Sequence, residues 1–402
     1  MRERFQLGPS LVFLNHGSFG ACPLPVRDAQ RAWQDAMERN PVEFLGRHSA
    51  ALLRAAREKL AAFVDASAED LVFVPNATTG VNIVAQSLTL QPGDEVLGTT
   101  LEYGACDAAW QFVCARQGAH YRRAAIALPL DDAAFVDAVM AAVTPRTRLV
   151  FASHIASTTA LVLPMAALVG AAHARGLPVL VDGAHAPGQL DLALDRLGAD
   201  YYTGNGHKWL CGPKGSGFLH ARREHHERLH ANVISWGYLQ EGVQDSVRDS
   251  VRDSVQGRGG HTGFDAYLGA SGFERRLQWQ GTRDISGFLA LPAAIDFHRE
   301  HLGPQVRRAC HAQAVALMHE LAEHFRLPPI GSDAHFAQMA AIPVPACDAE
   351  ALRQRLFAEH RIEVPVTRHE GRSFVRVSVQ GYNRADELQA LSQALKMAFP
   401  HG

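Results

Sequence analysis

Six cysteines in 402 residues are too few and too scattered to staple this chain together. Cys22, Cys106, Cys114, Cys211, Cys310 and Cys347 form no CxxC pair and no regular spacing, which argues against a disulfide or zinc-thiolate framework and for reduced thiols. Net charge is nearly absent as well. With 39 Lys+Arg against 41 Asp+Glu the balance is −2 at neutral pH, so no global field exists to hold nucleic acid or an anionic membrane. Any anion must be bound by a local site. No apolar run is long enough for a signal peptide or a membrane span, and Met1 leads directly into Arg2, Glu3 and Arg4, so residence in the cytoplasm is expected. The 21 histidines are dispersed, and the densest group, His225, His226 and His230, lies in an Arg/Glu-rich stretch without cysteine. That composition reads as a solvated helix face, and no metal site is expected.

What is present is a repeated alternation. The length exceeds the roughly 300 residues at which single cores stop growing, so two domains are expected. The apolar run Leu71–Val74 stops at Pro75, and Asn76–Gly80 turns into a helical stretch. Gly93–Gly98 is a turn into a strand, Ala105–Gln117 reads as a helix, and Thr147–Ala152 as a strand. Met165–Ala174 is helical, and Pro178–Val181 is an apolar strand ending at Asp182. Continuous apolar strands separated by helical lengths predict an α/β fold with a mainly parallel sheet covered on both faces, and ligands collect beyond the C-termini of such strands. Two helices, Val26–Glu38 and Ser49–Val64, precede the sheet. Residues 200–219 break the rhythm with dense glycine around Lys208 and read as a constrained loop. Beyond Asp284, one helix is predicted from Ile285 to Glu300 and another from Gly303 to Phe325. They are followed by a strand near Met339–Ile342, a helix Ala349–Glu359, a strand Ser373–Val379 and a helix Ala385–Met397. The expected division is an N-terminal arm over 1–25, a large domain over 26–284 and a smaller α+β C-terminal domain over 285–402. A period of four over 243–254, built on Val-Arg-Asp-Ser, is too short for a solenoid and reads as a polar surface insertion.

One set of residues carries chemistry. Asp182 ends an apolar strand, where a carboxylate can face a ligand. Lys208 follows 26 residues later, enough for a helix-sized crossover and a further short strand, so that both side chains can converge on one crevice. Ala77, Thr78 and Thr79 stand at a helix N-terminus, whose unpaired amides and hydroxyls suit a phosphate, although Asn76–Thr79 alone reads equally well as a helix cap. Thr203 and His207 could add donors. A lysine for an aldehyde, an acid for a pyridine nitrogen and a phosphate cup are the parts that pyridoxal phosphate requires. The lysine would serve first as the covalent attachment point and then as a proton carrier. Arg376 lies on an apolar strand, where a buried guanidinium needs an ion partner, either a substrate or an acid within the protein.

The stretches Asn15–Gly20, Asn76–Asn82, Val181–His185, Thr203–Trp209 and Arg376–Ser378, together with Trp279–Asp284, resemble the class V aminotransferase family, in particular its isopenicillin N epimerase-like branch. The resemblance runs from near residue 8 to the C-terminus. It implies a pyridoxal phosphate-dependent transferase fold of type I. It also implies that Asp182 pairs with the pyridine nitrogen, His185 lies near the ring hydroxyl and Tyr103 covers the ring. Thr78, Thr203 and His207 would contact the phosphate, and Thr282 would reach the phosphate of the partner subunit's site in a homodimer. Arg376 would clamp the α-carboxylate of an amino-acid-like substrate, with Asn15 and His16 beside it. For inversion, Tyr103 or His16 could deliver a proton from the opposite face. Two departures follow. Ser157 falls where relatives often carry asparagine, and the segment 361–368 lacks the persulfide-forming cysteine that desulfurases of the family place there. The expected reaction is therefore epimerisation or β-elimination at an amino acid, with transamination as the alternative and a non-catalytic cofactor-binding protein as a further one.

Overall fold

The computed structural model describes residues 1–238 and 268–400, so the four-residue repeat over 243–254 lies outside the described residues. A short strand, β1 (Val12–Phe13), precedes the helices Leu24–Arg39 and Ser49–Val64. Seven strands then form one sheet: β2 (Leu71–Val74), β3 (Glu95–Thr99), β4 (His120–Ala124), β5 (Thr147–Ser153), β6 (Val179–Gly183), β7 (Tyr201–Asn205) and β8 (Gly217–Ala221). Their order is β2-β8-β7-β6-β5-β3-β4. β4, β3, β5, β6 and β7 pair in parallel, while β8 runs antiparallel between β7 and β2. The expected mainly parallel sheet is present.

The strands are continuously apolar because both faces are covered. Successive residues of a strand enter opposite cores. Leu71 and Phe73 join one cluster and Val72 and Val74 the other; Val179 and Val181 are likewise separated from Leu180. Leu53 and Leu60 of the helix Ser49–Val64, with Leu168 and Val169 of Met165–His173, close the first face. Val81 and Val84 of Ala77–Ser87, with Trp110 and Val113 of Gly104–Arg116, close the second.

Several elements differ from the sequence expectation. β4 is a real strand, yet its sequence His-Tyr-Arg-Arg-Ala is mostly solvated because it forms the sheet edge and pairs only with β3. Residues 200–219 are not one loop. They form the antiparallel pair β7 and β8, and only 206–216 is the connection. Glycine within these strands reflects close packing, since a Cβ on Gly204 would lie 2.5 Å from the Phe218 ring. The crossover between Asp182 and Lys208 contains only a four-residue helix, Leu194–Leu197. The helix expected over 285–300 is split into Ser286–Leu289 and Leu291–His301, with Pro292 in the first turn of the second piece, where its missing N–H does no harm.

The C-terminal part is a smaller sheet of β9 (Met339–Val344), β11 (Val366–His369) and β12 (Arg372–Ser378), in the antiparallel order β11-β12-β9. It is accompanied by the helices Pro304–Phe325, Ala349–His360 and Ala385–Ala398. β1 joins β10 (Ile362–Glu363) in parallel, and Asn15 bridges to Ser378, so the first residues of the chain are fastened to the last sheet. Among the described residues no helix is long and apolar enough to cross a membrane.

Candidate active site

The C-terminal ends of β2, β5, β6 and β7 open into one cavity of about 300 Å³. Ala77, Thr78, Tyr103, Asp182, His185, His207 and Lys208 all line it, so the acid and the lysine expected to converge share one pocket. Tyr103 stands at the rim, 46% exposed.

Asp182 is the fourth residue of β6 and is buried. Its Oδ1 accepts the Ala184 amide at 2.9 Å and its Oδ2 accepts the Cys106 thiol at 3.4 Å, neither of them a cation. Burial raises the carboxyl above its ordinary range, opposed by the Ala184 hydrogen bond and by Lys208. Lys208 sits in the connection between β7 and β8, and burial, reinforced by Arg376, lowers its ammonium to about 8. Its Nζ lies 3.0 Å from His185 Nε2. The indole N–H of Trp209 donates to His185 Nδ1 at 3.4 Å, which leaves the imidazole proton on Nε2. That N–H can only donate to the lone pair of a neutral amine, in accord with the depressed ammonium. Burial, with Lys208 and Arg376 adding, holds His185 itself well below its ordinary range.

The helix Ala77–Ser87 points its N-terminus at the same space. Asn76 caps it, accepting both the amide and the hydroxyl of Thr79, while the Ala77 amide donates to Asn205 Oδ1 at 2.8 Å. Of the three residues expected to meet a phosphate, Thr78 is thus the one whose amide and hydroxyl these bonds do not consume. Thr203 is not on the cavity wall; its hydroxyl donates to the Phe218 carbonyl at 2.9 Å. Asn205, which the sequence reading passed over, lines the wall instead, and its Nδ2 also reaches the Ala184 carbonyl at 3.4 Å. His207 donates Nδ1–H to the Ser216 carbonyl at 3.2 Å, and burial lowers it to about 4.

Arg376 lies on β12 of the small sheet and is buried, with its guanidinium lowered to about 10 by that burial. Its Nη1 donates to the Ser157 carbonyl at 2.5 Å and toward the Ser157 hydroxyl at 3.4 Å, and Nη2 donates to Ser18 Oγ at 3.1 Å. Nε has no partner, and none of these contacts is an acid. Ser18 and Ser157 are themselves cavity residues, so the guanidinium stands immediately behind the wall. Asn15 and His16 do not line the cavity, contrary to expectation. His16 is completely buried, with both ring nitrogens engaged by protein, which removes it as a proton donor to substrate. Thr282 is exposed and outside the cavity of its own chain.

Comparison with known proteins places the chain in a family. The family model described as aminotransferase class-V matches residues 26–244. The chain is 37% identical to an isopenicillin N epimerase of Streptomyces clavuligerus, covering 98% of this chain and 96% of the relative, and 36% identical to that of Amycolatopsis lactamdurans over 98% and 97%. Among solved structures, a lysine-to-alanine variant of C-DES with glycine covalently linked to its pyridoxal phosphate superposes with a TM-score of 0.80 at 25% identity, covering 98% of each chain. The chain belongs to the class V aminotransferase family and has the fold type I architecture of pyridoxal phosphate enzymes that act on amino-acid-like substrates.

Proposed function

We propose that this cavity holds pyridoxal phosphate on Lys208 and that the chain is an epimerase working at the α-carbon of an amino-acid-like substrate. The observation that carries the reading is the Lys208 amine, its ammonium lowered by burial to about 8 beside a neutral imidazole, opening onto the same cavity as a buried carboxyl with no cation among its hydrogen-bond partners. The residues fit the cofactor. Asp182 would face the ring nitrogen, His185 the ring hydroxyl, and Thr78 and Asn205 the phosphate; His207 keeps its one N–H on the Ser216 carbonyl, so it would serve the phosphate only by taking a second proton on its ring. Bound there, the cofactor supplies an electron sink for charge left at the α-carbon when its proton is removed. Arg376 receives the substrate carboxylate, Lys208 moves the α-proton on one face, and Tyr103 at the rim is the group assigned to the other.

Epimerisation is preferred because of whole-chain likeness to two isopenicillin N epimerases. β-Elimination is the second reading, favoured by the superposition on C-DES, which is a cystine C–S lyase. Transfer of sulfur through a protein persulfide has no support, since no cysteine lies on the cavity wall and the loop 361–368 has none. Exposed Thr282, lying away from its own cavity, is assigned to the site of a second copy in a homodimer, and six unpaired cysteines suit the cytoplasm.

An amino-acid panel that includes isopenicillin N and L-cystine, followed in deuterated water by chiral chromatography and mass spectrometry, decides the reaction. Deuterium incorporation with inversion is expected. Ammonia with an oxo acid would replace the epimerase by a lyase, and amino transfer to an added oxo acid would replace both. Separately, Thr78→Ala is expected to weaken cofactor retention by about 10-fold or more, the size of one lost hydrogen bond to a charged group, measured by dialysis against free cofactor. Unchanged retention would remove Thr78 from the phosphate.

A further inference from the structure

The turn Asn15–Ala21 adds no charged group to the cavity, yet it is bonded to both groups that a bound amino acid must meet. The Ala21 amide donates to His16 Nδ1 at 3.3 Å, and the Tyr382 hydroxyl lies 2.9 Å from the same nitrogen. Nδ1 is therefore the acceptor, and the ring proton sits on Nε2. That N–H donates to the backbone carbonyl of Lys208 at 3.1 Å. Gly20 presses on the same loop with φ +71°, and a Cβ there would lie 2.0 Å from the His207 carbonyl oxygen and 2.8 Å from that of Lys208. Only glycine permits this approach. From the loop side, Lys214 Nζ donates to the Gly20 carbonyl at 2.8 Å.

The same turn grips Arg376. Ser18 Oγ accepts Arg376 Nη2 and donates to Asn15 Oδ1 at 2.5 Å. The Gly17 amide donates to Ser378 Oγ at 3.2 Å, and the Ser378 amide to the Leu14 carbonyl at 2.9 Å, two residues along β12 from the guanidinium.

We propose that this turn is an alignment clamp between the two sheets, with His16 as a positioning residue for Lys208 and Ser18 as a positioning residue for Arg376. The proposal rests on the roles given to Lys208 and Arg376 above. The amine and carboxylate of an amino acid share one carbon, so the groups that receive them must keep a fixed separation. Lys208 hangs from a loop of the large sheet and Arg376 from a strand of the small one, and the turn is bonded to both. A displacement on the order of 1 Å between reacting groups can cost about 100-fold in rate.

The test uses holoenzyme and glycine, which presents an amine and a carboxylate with no side chain, and follows α-proton exchange in deuterated water by NMR. His16→Phe keeps the bulk of the ring but has no N–H, whereas His16→Gln can return an N–H near the Nε2 position. His16→Phe is expected to lower kcat by roughly 10- to 100-fold with KM within about 3-fold, and to move the pH midpoint of the cofactor absorption band, while His16→Gln restores most of the loss. Ser18→Ala is expected to raise KM by about 10-fold with kcat nearly unchanged. Equal impairment by Phe and Gln, or a His16→Phe enzyme with wild-type kcat and band, overturns the clamp. Should His16→Phe not fold, Ser18→Ala decides alone, and an unchanged KM overturns it. A wild-type protein that carries no band at all would instead remove the reading of Lys208.

Discussion

Lys208→Ala is expected to abolish borohydride-fixed attachment of pyridoxal phosphate and to lower α-proton exchange by about 10⁴-fold, the upper range for loss of a positioned acid–base group. The effect is large because one amine performs two jobs in sequence, covalent capture and proton movement. Burial lowers its ammonium from 10.5 to about 8, so at neutral pH roughly 300-fold more of it is neutral than for a free lysine. The sign of the pH dependence follows. Only the neutral amine attacks an aldehyde, so the rate of cofactor capture by apoprotein should rise with pH and reach half its maximum near 8. Stopped-flow absorbance on wild-type apoprotein, with peptide mapping of the reduced adduct, checks both statements. A Lys208→Ala protein with an unaltered band would end the assignment.

Arg376→Ala is expected to raise KM for glycine by roughly 30- to 1000-fold with the cofactor retained, as expected for truncating one partner of a buried charge pair. The guanidinium has no acid of its own, and its free Nε leaves it short of partners until a carboxylate arrives. Lysine should not rescue the loss, because a single ammonium cannot both satisfy Ser18 and Ser157 and receive a carboxylate as a planar fork can. Methylamine, which lacks the carboxylate, should react with the cofactor equally in wild type and variant. If glycine titration of the absorption band is the same in both proteins, Arg376 is an internal structural cation.

The strands that carry the site were legible where they are buried. β2, β5 and β6 announce themselves as short apolar runs, and Asp182 could be named from its position at the end of one. A short strand before Lys208 is expected from the spacing, but the bounds of β7 and its pairing with β8 are not legible, because Gly204 serves packing against Phe218 and glycine in a sequence reads first as a loop. That misreading removed the ruler along β7. Thr203 and Asn205 share a face of the strand but differ by roughly 6.6 Å in height, so the hydroxyl ends under Phe218's carbonyl while the amide reaches the cavity. The polarity of His16 suggested a ligand group, and nothing in the local sequence tells that its ring is turned inward onto Tyr382 and the Lys208 carbonyl. Long-range partners such as Cys106 for Asp182 are set by how the helix Gly104–Arg116 lies on the sheet, which no local pattern encodes.

The antiparallel return of β8 beside β7 makes the lysine-bearing connection a hairpin, tied at its base by the Gly206 amide on the Ser216 carbonyl at 2.9 Å. The connection lies between two neighbouring strands and leaves the parallel ladder that fixes the acid at β6 untouched, but its buried Trp209, Leu210 and Cys211 leave no room for an insertion beside the lysine. Within this scaffold the nucleophile is aimed by contacts on its loop and its carboxylate counterpart by the middle of the sheet, so the two are fixed by separate means.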